Sequence, residues 1–202
     1  MISVPTQIDG NSEFVSRAFS AQAEHFDSDE ESNPILKWMR EQVYRHESEF
    51  LHPHSSILEL NAGTGIDALH FARLGHSVFA VDNAPGMVQQ LQKKISSYHV
   101  EGRIRCALHS FTQLETLPHE QFDHVFSNFG GLNCTPDLPK VISQLPRLLK
   151  PGASITFVIM PRVCPWEIAQ AFKGNYRFLG ETYTSCGIIW KIKTGGDIRS
   201  HR

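Results

Sequence analysis

Two acids and two glycines in this 202-residue chain have the types and spacing to hold a nucleoside. Glu59 sits near the end of an apolar run, Ile57-Leu58-Glu59-Leu60, and Asn61-Ala62-Gly63-Thr64-Gly65 follows at once. Gly63 and Gly65 permit backbone angles, and a close approach, that a side chain would block. A helical pattern then runs through Ile66, Leu69, Phe71, Ala72 and Leu74 to Gly75. Its first turn offers unpaired backbone N–H groups to whatever the glycine turn delivers. A second apolar run, Val78-Phe79-Ala80-Val81, ends in Asp82. Asp82 falls about twenty residues past the first glycine, the distance at which a βαβ unit places a carboxylate on a ribose. The chemistry indicated is recognition of an adenosine-containing cofactor. The plainer alternative is a βαβ unit whose glycines only tighten a turn.

Two cofactor classes compete for this pattern. Gly63-x-Gly65-x-x-Ala68 fits the nicotinamide dinucleotide fingerprint in its alanine form. Glu59 fits that reading badly, because a carboxylate at the strand end repels a pyrophosphate at the neighbouring turn. The same carboxylate attracts a cation. S-adenosylmethionine has no phosphate and carries an ammonium and a sulfonium, so acid, turn and acid suit it better.

Glu59-Leu60-Asn61-Ala62-Gly63-Thr64-Gly65 resembles motif I of the class I S-adenosylmethionine-dependent methyltransferases, E-x-G-x-G-x-G, with Asn61 in place of the first glycine. Val81-Asp82-Asn83-Ala84-Pro85-Gly86-Met87 is similar to the family's second motif. The resemblance spans about residues 55 to 160 and implies the cofactor contacts. Glu59 orients the backbone near the methionine ammonium, and Asn61, Ala62, Gly63 and Gly65 pass close to the cofactor. Asp82 accepts both ribose hydroxyls, while Asn83 and Met87 flank the adenine. Ser110 stands where the family often has an acid at the adenine amine, with the Phe111 backbone N–H at a ring nitrogen. Asn128 and Phe129 face the cofactor from the next strand end. Asp82 also has a plain reading as a helix cap, Ser110 as an ordinary turn, and Gly130-Gly131 as a glycine-rich turn with no cleft.

Methyl transfer is an in-line displacement, and the protein's main contribution is to align the nucleophile and strip water. The family therefore needs no universal catalytic residue, and none is assigned. His109 is the histidine nearest a predicted strand end and the candidate base, against a solvated loop histidine. Phe26-Asp27 resembles an aromatic–Asp pair that closes over the cofactor in many family members. Cys106, Cys134, Cys164 and Cys186 form no C-x-x-C pair, so they read as packed thiols rather than metal ligands. His52-Pro53-His54 reads as a loop, and no metal site is expected. The Asn-Pro-Pro-aromatic motif of exocyclic or amide nitrogen methylases is absent after the fourth strand.

These residues need a scaffold, and the apolar pattern supplies one. Strands are expected at Ser56 to Leu60, Ser77 to Asp82, Arg103 to Leu108, Phe122 to Ser127 and Ala153 to Met160. Helices are expected at Pro85 to Ser97 and at Pro136 to Lys150, the latter kinked or ended early by Pro146. Lys150-Pro151-Gly152 reads as a stop. Alternating strands and helices give an α/β fold, a Rossmann-like doubly wound, mostly parallel sheet. Before it, residues 1–54 form a helical cap: one helix over Glu13 to Asp27, an acidic break at 28–33, and a second helix from Pro34 to about Leu51. After the core at 55–160, residues 161–202 form a substrate-side segment and C-terminal strands. These comprise a helix near Pro165 to Phe172, strands near Tyr176 to Leu179 and Gly187 to Lys193, and a polar tail from Thr194. A shortened C-terminal strand pair would leave an edge that a second copy covers, giving a homodimer.

With 41% hydrophobic residues, 20% charged residues and a formal charge of −2, the chain has ordinary globular composition and no electrostatic footprint for nucleic acid. No apolar run reaches membrane-spanning length. Residues 1–11 lack the charged-then-apolar order of a signal peptide, so a cytoplasmic location is expected. The reading is transfer of a methyl group from S-adenosyl-L-methionine to an O, N or C atom of a small-molecule acceptor. The rivals are an NAD(P)-dependent oxidoreductase on the same βαβ unit, which would need a Tyr-x-x-x-Lys pair or second domain that the sequence lacks, and a non-catalytic cofactor-binding or assembly protein.

Overall fold

The structure, a computed structural model, describes residues 10–160, 188–193 and 198–200, with side chains described over 13–160. Three helices come first: α1 (Gly10–Gln22), α2 (Phe26–Ser32) and α3 (Pro34–Ser48). The core follows as β1 (Ser56–Leu60), α4 (Ile66–Arg73), β2 (Ser77–Asp82), α5 (Pro85–Ser97), β3 (Ile104–Leu108), β4 (Phe122–Ser127), α6 (Leu138–Gln144) and β5 (Leu149–Ile159), then β6 (Ile188–Lys193) and β7 (Ile198–Ser200). The sheet runs β3-β2-β1-β4-β5-β6-β7. The first five strands are parallel, and β6 and β7 are antiparallel to their neighbours. Strand order reverses between β1 and β4, the crevice where open α/β sheets bind ligands.

The central strands are apolar throughout because both faces are covered. Successive side chains point to opposite faces, and the core divides accordingly. Leu58, Leu60, Phe79, Val81 and Val125 pack with Phe111, Leu114 and α6 on one side. Ile57, Val78, Ala80, Phe126 and Val158 pack with Phe71, Leu91 and Val43 on the other. Each fully buried Leu, Ile or Phe contributes about 1.5–3 kcal/mol, so β1, with four of its five residues buried, is a firm base for the turn that leaves it.

Four expectations are corrected. First, the helix expected over Glu13 to Asp27 ends at Gln22, and the expected acidic break is itself helical as α2. Two of the four acids of α2 are matched, Glu30 by Arg40 and Asp27 by Lys94 at 2.6 Å, while Asp29 and Glu31 are exposed. The break before α3 is Asn33 alone, whose side chain caps Ile35 and Leu36 N–H ahead of Pro34. Second, the helix expected from Pro136 starts only at Leu138; it ends early at Gln144, as expected from Pro146, which the 3₁₀ turn Leu145–Leu148 carries. Third, Lys150-Pro151-Gly152 lies inside β5, where the register shifts opposite Phe122 and His124 and Gly152 takes φ +80°. Fourth, the expected polar tail contains β7, which pairs Ile198 with Ile192 of β6. The helix expected near Pro165 and the strand near Tyr176 lie outside the described residues.

The cap is seated on the core at α5. Ser16 Oγ donates to the Asn83 carbonyl at 2.9 Å, and Gly86 N–H donates to Ser20 Oγ at 3.2 Å. A Cβ on Gly86 would lie 2.6 Å from the Ser20 carbonyl oxygen, so only glycine lets α1 come this close.

Candidate cofactor site

A cavity of about 680 Å³ opens at the carboxyl ends of the parallel strands. That volume lies in the ordinary range for small-molecule sites. Nine of the twelve sequence-expected residues line it: Asn61, Gly63, Asp82, Asn83 and Met87 from the β1–β2 side, Ser110 and Phe111 after β3, and Asn128 and Phe129 after β4. Glu59, Ala62 and Gly65 do not line it.

Asp82 organises the near wall. One carboxylate oxygen accepts the Gly63 N–H at 2.8 Å, and the other accepts the Ala84 N–H at 2.8 Å. It thus pins the glycine turn to the loop that opens α5, whose own cap position, Ala84, has no side-chain bond. Burial raises the Asp82 carboxyl, and the N–H groups of Ala84, Gly63 and Asn83 pull it back. Each oxygen keeps accepting capacity for a ligand hydroxyl. Gly63, at φ +57°, has nothing within 4 Å of where a Cβ would stand, so its missing side chain leaves open space. Gly65 differs. A Cβ there would sit 2.2 Å from Leu91 Cδ1, so its glycine serves the packing of the turn on α5.

Glu59 lies beneath the turn, fully buried, with Oε2 unpartnered among the described residues. Burial holds its carboxyl well above the usual range; Asp67 and Asp82 add to this, while Arg40 and Lys94 oppose it. Its ionised form therefore waits on a compensating positive charge.

The far wall comes from the loop after β4. Phe129 and Gly130 both have positive φ, 49° and 68°. Asn128 donates to Asp67 at 3.2 Å, and Asp67 also accepts from Tyr44 at 2.6 Å and pairs with Arg40. The Arg40 guanidinium lies 4.4 Å over the Phe129 ring. Burial pulls Arg40 down, but Asp67 and Glu30 outweigh it and hold the guanidinium above its ordinary value. No sequence spacing announced this network, since Glu30, Arg40, Asp67 and Asn128 belong to four separate segments.

The remaining candidates have local duties. Ser110 Oγ accepts the Thr112 N–H at 3.2 Å and so caps the 3₁₀ turn Phe111–Thr116, while still facing the cavity. His109 Nδ1 lies 2.9 Å from the Ser110 carbonyl, which can only accept, so Nδ1 carries the proton. Nε2 lies 2.8 Å from Thr116 Oγ1, whose one hydrogen goes to the Gln113 carbonyl at 2.9 Å, and His109 lines the cavity. Burial lowers this imidazole, against the Ser110 carbonyl and Glu115. Cys134 lines the cavity as a reduced thiol, its pKa raised by burial and by Asp82. Phe26 lines the cavity from α2, and Phe19 and Ser16 from α1. Asp27 accepts from Thr64 of the glycine turn. Among the described residues no cluster of His, Cys, Asp and Glu could hold a metal ion.

Residues 57–152 match the family described as "Methyltransferase domain". The chain is 28% identical over 122 residues to a malonyl-[acyl-carrier protein] O-methyltransferase of Serratia marcescens, covering 60% of this chain and 45% of that protein. It is 30% identical over 134 residues to the mitochondrial 2-methoxy-6-polyprenyl-1,4-benzoquinol methylase of Schizosaccharomyces pombe, covering 60% and 43%. Residues 57–152, just under half of the chain, are thus similar to methyltransferase domains. The chain spans about half the length of these curated relatives. Solved structures share the fold: DhpI in complex with SAH at TM-score 0.54 and 19% identity, covering 72% and 68% of the two chains, and the [4+2]-cyclase SpnF at 0.50 and 20%, covering 54% and 40%. The methyltransferase fold thus also appears in a protein named for a cyclisation, and fold alone does not set the reaction.

The cavity residues fit S-adenosyl-L-methionine, the cofactor expected from the sequence. Gly63 leaves open space, Asp82 presents two oxygens, and a buried acid with an unpartnered oxygen lies under the turn.

Proposed function

We propose that this chain transfers a methyl group from S-adenosyl-L-methionine to an O, N or C atom of a small-molecule acceptor. The observation that carries the reading is Asp82: a buried carboxylate on the cavity wall, held in place by the N–H of Gly63 and of Ala84. In this reading Asp82 accepts the ribose hydroxyls, Gly63 lets the chain approach, and Asn83 and Met87 border the adenine. Ser110 and Phe111 close its edge, and Asn128 and Phe129 form the opposite wall. Glu59, Ala62 and Gly65 act from behind the turn. S-adenosylmethionine supplies a methyl group already activated on a sulfonium. The chain's own part is to hold donor and acceptor in line and exclude water. Phe19 and Phe26 of the cap serve exclusion, since both reach the cavity from helices seated on α5 and the glycine turn.

The relatives differ in the acceptor they are named for, one a malonyl-[acyl-carrier protein] O-methyltransferase and the other a 2-methoxy-6-polyprenyl-1,4-benzoquinol methylase. A small acceptor is favoured by a formal charge of −2, which supplies no phosphate-binding surface. No helix among the described residues is long and apolar enough to cross a membrane. The test is incubation with methyl-labelled S-adenosylmethionine and a panel of carboxylic acids, phenols, amines and quinols. Label transferred to one class, with S-adenosylhomocysteine formed in equal amount, supports the proposal. Tight cofactor binding with no transfer to any class in the panel or to cell extract contradicts it and marks a binding protein.

A further inference from the structure

Asn61 stands where motif I usually has a glycine, and the structure gives its side chain a defined task. Its backbone is left-handed, φ +50°, a conformation that asparagine tolerates better than most residues. Its side-chain amide reaches across the floor of the cavity to the β4 loop. Ser127 Oγ donates to Oδ1 at 2.7 Å, and Nδ2 donates to the Asn128 carbonyl at 3.3 Å. That carbonyl can only accept, so the orientation of the amide is fixed. Nδ2 has a second hydrogen, which finds no partner among the described residues, and Asn61 lines the cavity. Gly131 makes the space for it: a Cβ there would lie 2.0 Å from Nδ2.

The amino-acid end of S-adenosylmethionine carries a carboxylate, which needs donors. Among the described lining residues Lys140 is the one lysine or arginine, and it stands on α6 beside Asp137, past the Ser110–Thr116 side. Arg40, behind Phe129, is already claimed by Asp67 and Glu30. We propose that the second Nδ2 hydrogen of Asn61 is a donor to the carboxylate of the bound cofactor, with Ser127 and Gly131 keeping the amide aimed at it. The inference rests on assigning the cavity to S-adenosylmethionine. Asn61 is on this account a residue that selects for the amino-acid part of the ligand, while Asp82 selects for the nucleoside.

The experiment is calorimetric titration of wild type, Asn61→Asp and Asn61→Gly with two probes, S-adenosylhomocysteine and 5′-methylthioadenosine. The second keeps the adenosine and sulfur and lacks the amino acid. In Asn61→Asp an oxygen replaces the donor, and affinity for S-adenosylhomocysteine falls roughly tenfold or more. Affinity for 5′-methylthioadenosine stays within about threefold, well short of the tenfold or more that a hydrogen bond to a charged group supplies. Asn61→Gly shows the same selective loss, with a smaller amplitude because no repulsion is introduced. Equal losses for both probes would assign Asn61 to packing alone and overturn the proposal, as would undiminished S-adenosylhomocysteine binding. A wild type that binds neither probe overturns the cofactor assignment itself, a result distinct from either.

Discussion

One stripe of α3 feeds two polar clusters that look alike in composition and differ in what they touch. Arg40, Tyr44 and Glu47 follow one another at helical spacing, so they share a face. Arg40 and Tyr44 meet Asp67, which holds Asn128, and Arg40 covers Phe129; both of the last two line the cavity. Glu47 instead meets His124 Nε2 at 3.0 Å, and His124 Nδ1 lies 2.7 Å from Ser154 Oγ. An acid, a histidine and a serine in line have the look of a catalytic relay. Here Glu47 and His124 are 1% and 0% exposed, and none of the three lines a described cavity. Continuity with a cavity, not the residue set, separates a functional cluster from a structural one.

The comparison is broken most severely at Glu47. Glu47→Ala leaves His124 buried without its partner and should cost about 3–5 kcal/mol, read by urea unfolding. The folded fraction should bind S-adenosylhomocysteine as wild type does; weakened binding would join the two clusters. The pH dependence has a definite sign. Burial pushes the Glu47 carboxyl up, but the His124 imidazole 3.0 Å away, with Thr156 and His46, leaves it lowered from 4.5. Its contribution is therefore full above about pH 4.5 and is lost as pH falls through the lowered value. Glu47→Gln should flatten that acid limb.

Arg40→Met comes next. It leaves Asp67 and Glu30 without their cation and uncovers Phe129, so stability should fall by roughly 3 kcal/mol, at the low end for a broken buried pair. Unlike Glu47→Ala, it should also weaken S-adenosylhomocysteine several-fold, because Asn128 and Phe129 lose their support. A loss of stability with unchanged affinity would reduce the upper cluster to the status of the lower one.

The difference between the clusters also marks what the sequence could show. β1, β2, β4 and α5 have the limits that apolar runs and turn residues predict, because their signals are local. The glycine turn and Asp82 were legible for the same reason: one motif carries both and the spacing between them. Arg40–Asp67 and Glu47–His124 were not, since each joins segments far apart in the chain and no pattern within either segment names its partner. The helical α2 was misread because its acids suggested a solvated break, whereas Arg40 and Lys94 neutralise two of them. Gly86 had a hidden reason, the close passage of Ser20, that only packing reveals. Glu59 was legible in type but not in place, since it lies under the turn rather than on the cavity wall.

Glu59→Gln gives the smallest effect and sharpens the comparison from the cavity side. The Glu59 carboxyl is raised in the fold, so its stabilising neutral form is full below about pH 4.5 and is lost as pH rises through the raised value. Glutamine is neutral throughout. The variant should equal wild type in acid buffer and exceed it in thermal midpoint in alkaline buffer, while binding S-adenosylmethionine less tightly. A variant that loses stability at alkaline pH would show that Glu59 is held ionised there.

The most direct test of the central claim is calorimetric titration of S-adenosylhomocysteine into wild type and Asp82→Ala. Hydrogen bonds to a charged group are worth about 1.5–3 kcal/mol, so the account predicts a loss of roughly ten- to a hundredfold in affinity. Equal affinity in the two proteins would contradict it and remove Asp82 from the cofactor site.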